Sequence, residues 1–384
     1  MPSTSPPGRC APTTPTEPRH GRVSSSPLRH EPAMATHWGT PLTGFAGSTA
    51  RQFGVGGTDL GIPYNREHFA PGRSGFVFGD TFTGDSQGSG TWLGSPVLLF
   101  SSDLPDATTT FSATPGGAPA RQALTYTHNA DNGYGFEVSR IPNDAFVDPN
   151  GRTWLTYTSV HDWSVPDDRY GALFCGLAYS DDDGATWTDY AAVWPNDGSD
   201  GYGGWSPFMM QSFAGIGNNN GDGYLYIVSK EWGRSHNRNG PILMRVPWQQ
   251  IAVRGEYEYW GYDGSAWRWG NPTPTPLFGG MGPIGEVSVK NIAGTWVMSY
   301  FDVAGACIST RTAPAIDRVW TAPKRQIVAS APWWQFWVRT FPQLYGGFIH
   351  PRSSSSADIT LYVSQWNTTT NSPYWVMQFD GITP

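Results

Sequence analysis

The chain has 384 residues, a net charge of −7 and only 14% charged residues. A nucleic-acid partner is therefore not expected, because phosphates bind surfaces rich in Lys and Arg. No apolar run approaches the roughly 18 residues that a membrane-spanning helix requires, so no membrane span is expected either. Aromatic residues also make up 14% of the chain, beside 47 Gly and 33 Pro. This composition favours short strands and many turns over helices.

Residues 1–35 are predicted to form a disordered N-terminal tail, and residues 36–384 a single domain. The tail is rich in Pro, Ser, Thr and Arg and lacks the aliphatic core of a signal peptide. Met34 is an alternative candidate for the true first residue. The three Cys residues, at positions 10, 175 and 307, are too few and too scattered for a disulfide framework.

The first predicted strand pair lies between Gly54 and Phe82. Its segments GTDLGIPY and SGFVFGDTF are rich in β-forming residues and are bounded by Gly, Pro and Asn. In an antiparallel pair, Asp59 at the start of the first strand would lie beside Asp80 at the end of the second. Two carboxylates on one rigid sheet edge are what glycoside hydrolysis requires. The alternative interpretation is that each Asp is only a turn residue.

The same order of strand, turn and aromatic-rich strand recurs four more times. The second strands of the five units align on Phe76, Trp154, Tyr224, Trp296 and Leu361. This repetition predicts an all-β fold, a five-bladed β-propeller. The segment Trp38–Phe45 has no local partner, so we expect it to close the last blade, which would leave no open sheet edge. In the first blade, GSPVLLFSSD and TTTFSAT are the predicted third and fourth strands.

One short motif supports the propeller. Residues Ser180 to Trp187, SDDDGATW, resemble the Asp-box of propeller proteins. The resemblance implies a tight hairpin between outer strands of a blade, in which Asp182 bonds turn amides and Trp187 packs beneath. It marks a fold, and it is usually remote from the catalytic pocket.

The hairpin argument, applied to every blade, predicts which side chains share one end of the central channel. Besides Asp59 and Asp80, it selects Asp144, His161 and Asp162 in blade two, Gln211 or a near neighbour with Glu231 and Trp232 in blade three, Glu286 and Asp302 in blade four, and His350, Gln365 and Trp366 in blade five. Asp144 and Glu286 are the further catalytic candidates, and the others are expected to contact substrate. Neighbouring carboxylates acquire separated pKa values, so one can act as general acid while another is ionised.

Other motifs are weaker. Residues 217–223, GNNNGDG, begin like a calcium loop, but Ser229 stands where the twelfth position requires Glu. A Gly-rich hairpin turn is the better interpretation. Zinc motifs such as C-x-x-C and H-E-x-x-H do not occur, and no metal or other cofactor is expected. Arg140, in SRIP, resembles the arginine motif of sialidases, although one Arg is not the cluster that a sialate carboxylate requires.

Seven segments carry a family resemblance: GVGGTDLGIPY, GRSGFVFGDTF, SPVLLFSSD, IPNDAF, IGEVSVKN, GGFIHP and LYVSQW. Together they resemble a bacterial, actinobacterial and phage family that was long known only as a domain of unknown function. It is now associated with endo-D-arabinanases, glycoside hydrolase family 183. The resemblance runs from about Trp38 to the C-terminus. It implies a five-bladed propeller that acts outside the cell, with Asp59 and Asp80 as the catalytic pair.

The polysaccharide partner implied by this resemblance is the D-arabinan of mycobacterial arabinogalactan and lipoarabinomannan, cut at internal α-D-arabinofuranosyl linkages. Two other functions stay open at this point. A carbohydrate-binding propeller without catalysis, such as an adhesin, would need the aromatic residues but not the carboxylates. A sialidase-like enzyme would act on sialosides. In each case we expect a monomer.

Overall fold

Five antiparallel sheets follow one another along the chain, and the first strand of each contacts the first strands of its neighbours around a common axis. The computed structural model describes residues 38–384, apart from 71–72, 165–169, 219–220, 235–239, 280 and 331–339. The sheets are the blades of a five-bladed β-propeller, so the predicted fold class is confirmed. The predicted tail, and part of the Gly-rich turn at 217–223, lie outside the described residues.

The chain begins with β1 (Thr40–Pro41). Blade one contains β2 (Thr58–Asn65), β3 (Ser74–Phe82), β4 (Trp92–Gly94) and β5 (Val97–Ser101). A short hairpin follows, formed by β6 (Ala130–Asp131) and β7 (Phe136–Glu137). Blade two contains β8 (Ser139–Val147), β9 (Thr153–Val160), β10 (Ala172–Ser180) and β11 (Thr188–Pro195).

Blade three has five strands: β12 (Met210–Ile216), β13 (Tyr224–Lys230), β14 (Ile242–Pro247), β15 (Glu258–Tyr262) and β16 (Trp267–Asn271). Blade four contains β17 (Ile284–Ile292), β18 (Thr295–Asp302), β19 (Cys307–Ala313) and β20 (Lys324–Val328). Blade five contains β21 (Leu344–Ile349), β22 (Ile359–Trp366) and β23 (Tyr374–Ile382). The helices in the described residues are short 3₁₀ turns at Thr49–Phe53, Trp248–Gln250 and Arg254–Glu256, and none is long and apolar enough to cross a membrane.

The N-terminal strand completes the last blade. Strand β1 pairs antiparallel with β23, with Thr40 opposite Gln378 and Pro41 opposite Met377. The sheet order of blade five is therefore β1-β23-β22-β21. This confirms the expectation that the unpaired segment near Trp38 closes the ring, and it joins the two ends of the domain through backbone hydrogen bonds.

Hydrophobic side chains fill the spaces between neighbouring blades. Trp194 and Trp296 have no exposed surface, and each belongs to a cluster that spans two blades. Burying a side chain such as Phe213 in such a cluster contributes roughly 1.5–3 kcal/mol. Many of the tryptophans are therefore core residues rather than a surface for sugars.

Two predicted strands of blade one differ from the structure. The segment Gly94–Asp103 is divided between β4 and β5, and residues 108–114 form only an isolated bridge between Phe100 and Ala113. Phe111 packs instead against Phe76 and Phe78, at ring-centroid distances of 5.5 and 5.6 Å. Burial of this ring decides the path of the segment more strongly than its β-forming composition does.

The Asp-box forms the predicted hairpin between β10 and β11. The carboxylate of Asp182 accepts hydrogen bonds from the amide of Thr186 at 2.8 Å and its hydroxyl at 2.7 Å. The indole of Trp187 donates to the carbonyl of Gly184 at 3.0 Å. Asp183, in the same turn, pairs with buried Arg66, whose Nε lies 2.9 Å from its Oδ1. The motif thus links blade two to blade one.

Candidate active site

A cavity of about 470 Å³ lies where the five inner strands begin, and every blade contributes to its lining. We call it the axial cavity. Its charged and polar lining comprises Asp59, Asp80, Gln87, Asn143, Gln211, Arg234 and Glu286. Its aromatic lining comprises Trp163, Trp232, Tyr345, Phe348, Trp366 and Tyr374. The predicted convergence of acidic and aromatic side chains at one end of the channel therefore holds for part of the predicted set.

Asp59 projects into the axial cavity because the inner strand of blade one is irregular there. Thr58 pairs with Thr81 and Leu60 pairs with Phe78, which leaves Asp59 at a bulge outside the regular ladder. Leu60 has φ of 64°, in the left-handed region, and its amide donates to Ser364 Oγ at 2.7 Å. This anchored bulge directs the carboxyl group towards the axis.

The surroundings of Asp59 favour its protonated form. Tyr345 donates its hydroxyl to Oδ2 at 2.8 Å, whereas the buried Oδ1 has no hydrogen-bond partner. Burial, with a smaller contribution from Asp80, raises the pKa of this carboxyl to about 7, while Tyr345, Arg234 and Tyr374 oppose the increase. An ionised carboxylate with an unpartnered buried oxygen is costly, which agrees with that direction.

A glycine makes room for this carboxyl group. A Cβ at Gly79 would lie 2.3 Å from Oδ1 of Asp59, which no real pair of atoms tolerates. The Gly-Asp sequence at the end of β3 thus serves both carboxylates. Gly79 leaves room for the carboxyl group of Asp59, and the next residue, Asp80, carries the second carboxyl group.

Asp80 lies near the end of β3 and also lines the axial cavity. The indole Nε1 of Trp92 donates to its Oδ1 at 3.2 Å. Burial raises the pKa of this carboxyl, and the hydrogen bond from Trp92 and the nearby His128 oppose that increase. The hydroxyl of Tyr374 holds the backbone of Asp80 through a 3.0 Å bond to its carbonyl oxygen.

Glu286 enters the cavity from the irregular start of β17, between Ile284 and Val287. Nε of Arg234 donates to its Oε1 at 2.9 Å, and a second guanidinium nitrogen contacts the same oxygen. The amide of Gly346 donates to Oε2 at 3.1 Å. Burial alone would raise the pKa of Glu286, but the ion pair with Arg234 outweighs it and the pKa lies below its usual value.

Asp144 is not brought into the axial cavity. Strand β8 begins at Ser139, so Asp144 lies in its middle and not at its start, and Asn143 lines the cavity instead. The buried Asp144 carboxylate accepts bonds from Lys290 at 2.7 Å and from Ser212 and the Phe213 amide at 2.9 Å each. Burial raises its pKa and Lys290 opposes this. The sequence prediction placed the strand start five residues too late.

His350 also lies away from the axial cavity. The sequence prediction placed it at the start of the inner strand of blade five, which was wrong. Strand β21 ends at Ile349, so His350 follows the strand and lies towards the opposite end of the channel. Its Nε2 lies 3.2 Å from Ser74 Oγ. Burial, with Arg352 nearby, lowers the pKa of His350 to about 3, so the ring is neutral.

The remaining candidates divide into two groups. Gln211, Trp232 and Trp366 line the axial cavity, at the end of the channel where they were predicted. Five candidates lie outside its lining: His161, Asp162, Glu231, Asp302 and Gln365. Nδ1 of His161 lies 2.6 Å from the Phe136 carbonyl oxygen, Asp162 accepts a 2.7 Å bond from the Ser164 amide, and Glu231 is buried. Asp302 accepts from the Gly305 amide at 2.8 Å, and Gln365 donates to the Pro342 carbonyl at 3.0 Å.

Among the polar and aromatic lining residues, sequence reasoning missed Gln87, Asn143, Trp163, Arg234, Tyr345, Phe348 and Tyr374. Trp163 directly follows the predicted pair His161 and Asp162, and Arg234 follows Trp232 by two positions, so proximity in the chain was a usable signal. The two tyrosines lie within hydrophobic strands of blade five, and their alternation with core residues does not distinguish them.

A second cavity, of about 330 Å³, lies at the opposite end of the channel. Lys290, Asn65 and His68 are among its polar lining residues. Arg140, the sialidase-like candidate, is in neither lining. Its guanidinium pairs with Glu137 at 3.0 Å and with Asp189 at 2.6 Å.

A closed five-bladed propeller with three carboxyl groups in an axial cavity, those of Asp59, Asp80 and Glu286, defines the structural class of this protein. The chain belongs to the family described as a domain of unknown function, DUF4185, whose profile matches residues 46–380. This membership agrees with the resemblance to a family long known only by such a description. The endo-D-arabinanase activity associated with that resemblance stays a prediction.

Relatives and solved structures extend the comparison. Notoamide biosynthesis cluster protein J of Aspergillus sp. (strain MF297-2) is 32% identical over 347 residues, which cover 86% of this chain and 85% of that protein. An uncharacterized 35.9 kDa protein of Mycolicibacterium smegmatis is 32% identical over 168 residues, covering 41% and 47%. A structure from Bacteroides ovatus ATCC 8483, provisionally described as a hydrolase, matches with a TM-score of 0.56 and 12% identity, covering 85% and 86%. At this identity the match shows a shared fold alone.

Proposed function

We propose that the protein is a glycoside hydrolase in which Asp59 is the general acid and Asp80 is the general base or the nucleophile. The observation that carries the proposal is the presence of both carboxyl groups in one cavity, in different surroundings. Most glycoside hydrolases use two such groups, one on each side of the scissile bond. The match to DUF4185 covers both residues.

Three observations support Asp59 as the acid. Its pKa of about 7 lets it keep a proton in mildly acidic and neutral solution. Its buried Oδ1 accepts no hydrogen bond in the structure. The negative charge of Asp80 contributes to the raised pKa of Asp59, so an ionised Asp80 favours the protonated form of Asp59. Asp80 receives the N–H group of Trp92, and such a bond favours the carboxylate.

The proposed reaction consumes one water molecule. Asp59 gives its proton to the glycosidic oxygen while the bond from that oxygen to the anomeric carbon breaks. Asp80 either takes a proton from the water that attacks the anomeric carbon, or attacks that carbon itself and is released by water in a second step. In the first course, exchange with solvent removes the proton from Asp80 and returns one to Asp59. In the second, Asp59 recovers its proton from the water that releases the sugar. Both courses thus restore the two carboxyl groups and require no reactant other than water.

A neutral sugar chain fits the charges of the axial cavity. Among its described lining residues, the carboxyl groups of Asp59, Asp80 and Glu286 face a single cation, Arg234. That cation is already paired with Glu286, which disfavours the carboxylate of a sialoside. Trp163 is 54% exposed and its ring lies 5.7 Å from that of Trp232, which offers flat apolar faces to sugar rings.

For the substrate itself, we propose the internal α-D-arabinofuranosyl linkages of mycobacterial D-arabinan, as the family resemblance implies. The test is incubation of the purified protein with arabinogalactan, followed by measurement of new reducing ends and product sizes. We expect oligosaccharides of several sizes, and we expect Asp59→Asn and Asp80→Asn each to lower kcat by about 10²–10⁴-fold.

Asp263→Asn is the matched control, because Asp263 accepts the turn amide of Ser265 and is outside the cavity lining. Binding of arabinan without release of reducing ends would instead support a non-catalytic carbohydrate-binding propeller. Release of sialic acid from sialosides would support a sialidase-like enzyme, and either result would overturn the proposal.

A further inference from the structure

Glu286 is bound too completely to exchange a proton readily. Oε1 receives two N–H groups of Arg234, and Oε2 receives the amide of Gly346. The Glu286 side chain is only 8% exposed, whereas that of Arg234 is 41% exposed. Every contact favours the ionised carboxylate. A carboxylate held in this way is better suited to orienting a neighbouring side chain than to donating a proton.

Arg234 connects Glu286 to Asp59. The guanidinium carbon lies 4.3 Å from the centre of the Tyr345 ring. The hydroxyl of that same ring donates to Oδ2 of Asp59 at 2.8 Å. Arg234 follows β13 of blade three, Glu286 belongs to blade four, Tyr345 to blade five and Asp59 to blade one. A single chain of contacts thus joins four blades around the axis.

We propose that Glu286 is a positioning residue with two effects. It holds Arg234 on the face of Tyr345, which keeps Asp59 in place, and its negative charge balances that of Arg234, so that Asp59 stays protonated for the reaction. The inference rests on the proposed role of Asp59 as general acid. Cation–π contact and hydrogen bonding are both directional, so loss of one link displaces the next.

The charged and titratable groups that face Asp59 come from four elements. Asp80 on β3 opposes its ionisation, whereas Tyr345 on β21, Arg234 after β13 and Tyr374 on β23 favour it. Arg234 acts on Asp59 as a cation whose charge Glu286 partly cancels. Removal of Glu286 and removal of Arg234 must therefore have opposite effects on Asp59.

The experiment compares Glu286→Gln, Arg234→Met and the double variant. The readout is the pH dependence of carbodiimide modification at Asp59, followed by peptide mass spectrometry, which does not require activity. We expect the ionisation midpoint to fall by roughly 0.5–1 in pH in Glu286→Gln, because Arg234 is then uncompensated, and to rise by a similar amount in Arg234→Met.

The double variant Glu286→Gln/Arg234→Met removes both charges, so its midpoint should return close to the wild-type value. It also keeps the inference testable if Arg234→Met, which leaves Glu286 buried without its partner, fails to fold. Arg245→Met/Glu258→Gln is a matched control, since this ion pair with an N–O distance of 2.7 Å lies outside the lining of the axial cavity.

Midpoints that move in the same direction in both single variants, or that stay unchanged, would overturn the inference. In an active enzyme, the Asp59 limb of the kcat/KM pH profile should move with the labelling midpoint. If the variants show the expected labelling shifts but the wild-type protein cleaves no glycan, the proposed function alone is contradicted. Active enzyme in which Glu286→Gln loses one limb of the pH profile would make Glu286 a proton-transfer group instead.

Discussion

The hydroxyl of Tyr345 donates a 2.8 Å hydrogen bond to Oδ2 of Asp59 across 286 residues of sequence. The bond joins the last blade of the propeller to the first. Because β1 also completes blade five, both ends of the domain take part in holding this carboxyl group. The site therefore depends on closure of the ring.

Gly79→Ala tests the close contact beneath Asp59. The new Cβ would lie 2.3 Å from Oδ1, so the carboxyl group must move. Since displacement of a catalytic group by about 1 Å can cost 10²-fold, we expect kcat to fall by about 10²-fold in a folded protein. Gly255→Ala is the matched control, because a Cβ there meets no atom within 4 Å. Equal activity of the two variants would contradict the proposed role of Asp59.

Asp59→Asn should stabilise the protein increasingly as the pH rises from about 4 to about 7. The folded protein raises the pKa of Asp59 from 3.8 to about 7, so it holds this proton more tightly than the unfolded chain does. The stability from this group is complete below pH 3.8 and is lost as the pH rises through 7. Because Asn cannot ionise, its advantage should grow by about 1–4 kcal/mol.

Thermal unfolding of both proteins across this pH range measures the effect. Asp263→Asn is a control of opposite sign, because the amides of Ala266 and Ser265 lower the pKa of Asp263 to about 2. Its stability contribution is present above the unfolded pKa and lost as the pH falls towards 2, so it should not vary between pH 5 and 7. If the difference in stability between Asp59→Asn and wild type does not change with pH, folding does not raise the pKa of Asp59.

Trp163→Ala should weaken substrate binding. Trp163 lines the axial cavity and is 54% exposed. Removal of its ring should therefore weaken contact with the sugar more than it weakens core packing. We expect KM on polymer to rise roughly 5- to 30-fold, equivalent to about 1–2 kcal/mol, with kcat changed less. Trp267→Ala removes a ring that is 44% exposed but lies outside the cavity lining, and its KM should stay unchanged. A similar rise in both variants would argue against stacking at Trp163.

Lys290→Met should destabilise the fold strongly. It leaves the buried carboxylate of Asp144 without the ammonium group that lies 2.7 Å away. Breaking a buried ion pair on one side costs about 3–5 kcal/mol, measurable by urea unfolding. The double variant Asp144→Asn/Lys290→Met should lose less stability than Lys290→Met does, because it leaves no buried charge without a partner. If Asp144→Asn instead folds normally and abolishes glycan cleavage, Asp144 has a catalytic role that its position does not explain.

The blade repeat could be recognised from the sequence because each blade repeats local information. Alternating apolar residues, Gly-rich turns and the Asp-box are signals within a few residues of one another, and they predicted the second strands of the blades well. The same local reasoning paired Asp59 with Asp80, since both belong to one hairpin. It failed where the start of an inner strand is not marked by a turn residue, as at Asp144 and His350.

The sequence by itself determined the strand order, the closing role of the N-terminal strand and one carboxylate pair, because hairpin geometry depends on neighbouring residues. Only the tertiary structure decided that Glu286 is paired with Arg234, that Asp144 is neutralised by Lys290 and that Tyr345 reaches Asp59. Each of these contacts joins different blades, and its energy depends on burial and distance. Neither quantity can be read from the spacing of residues along the chain.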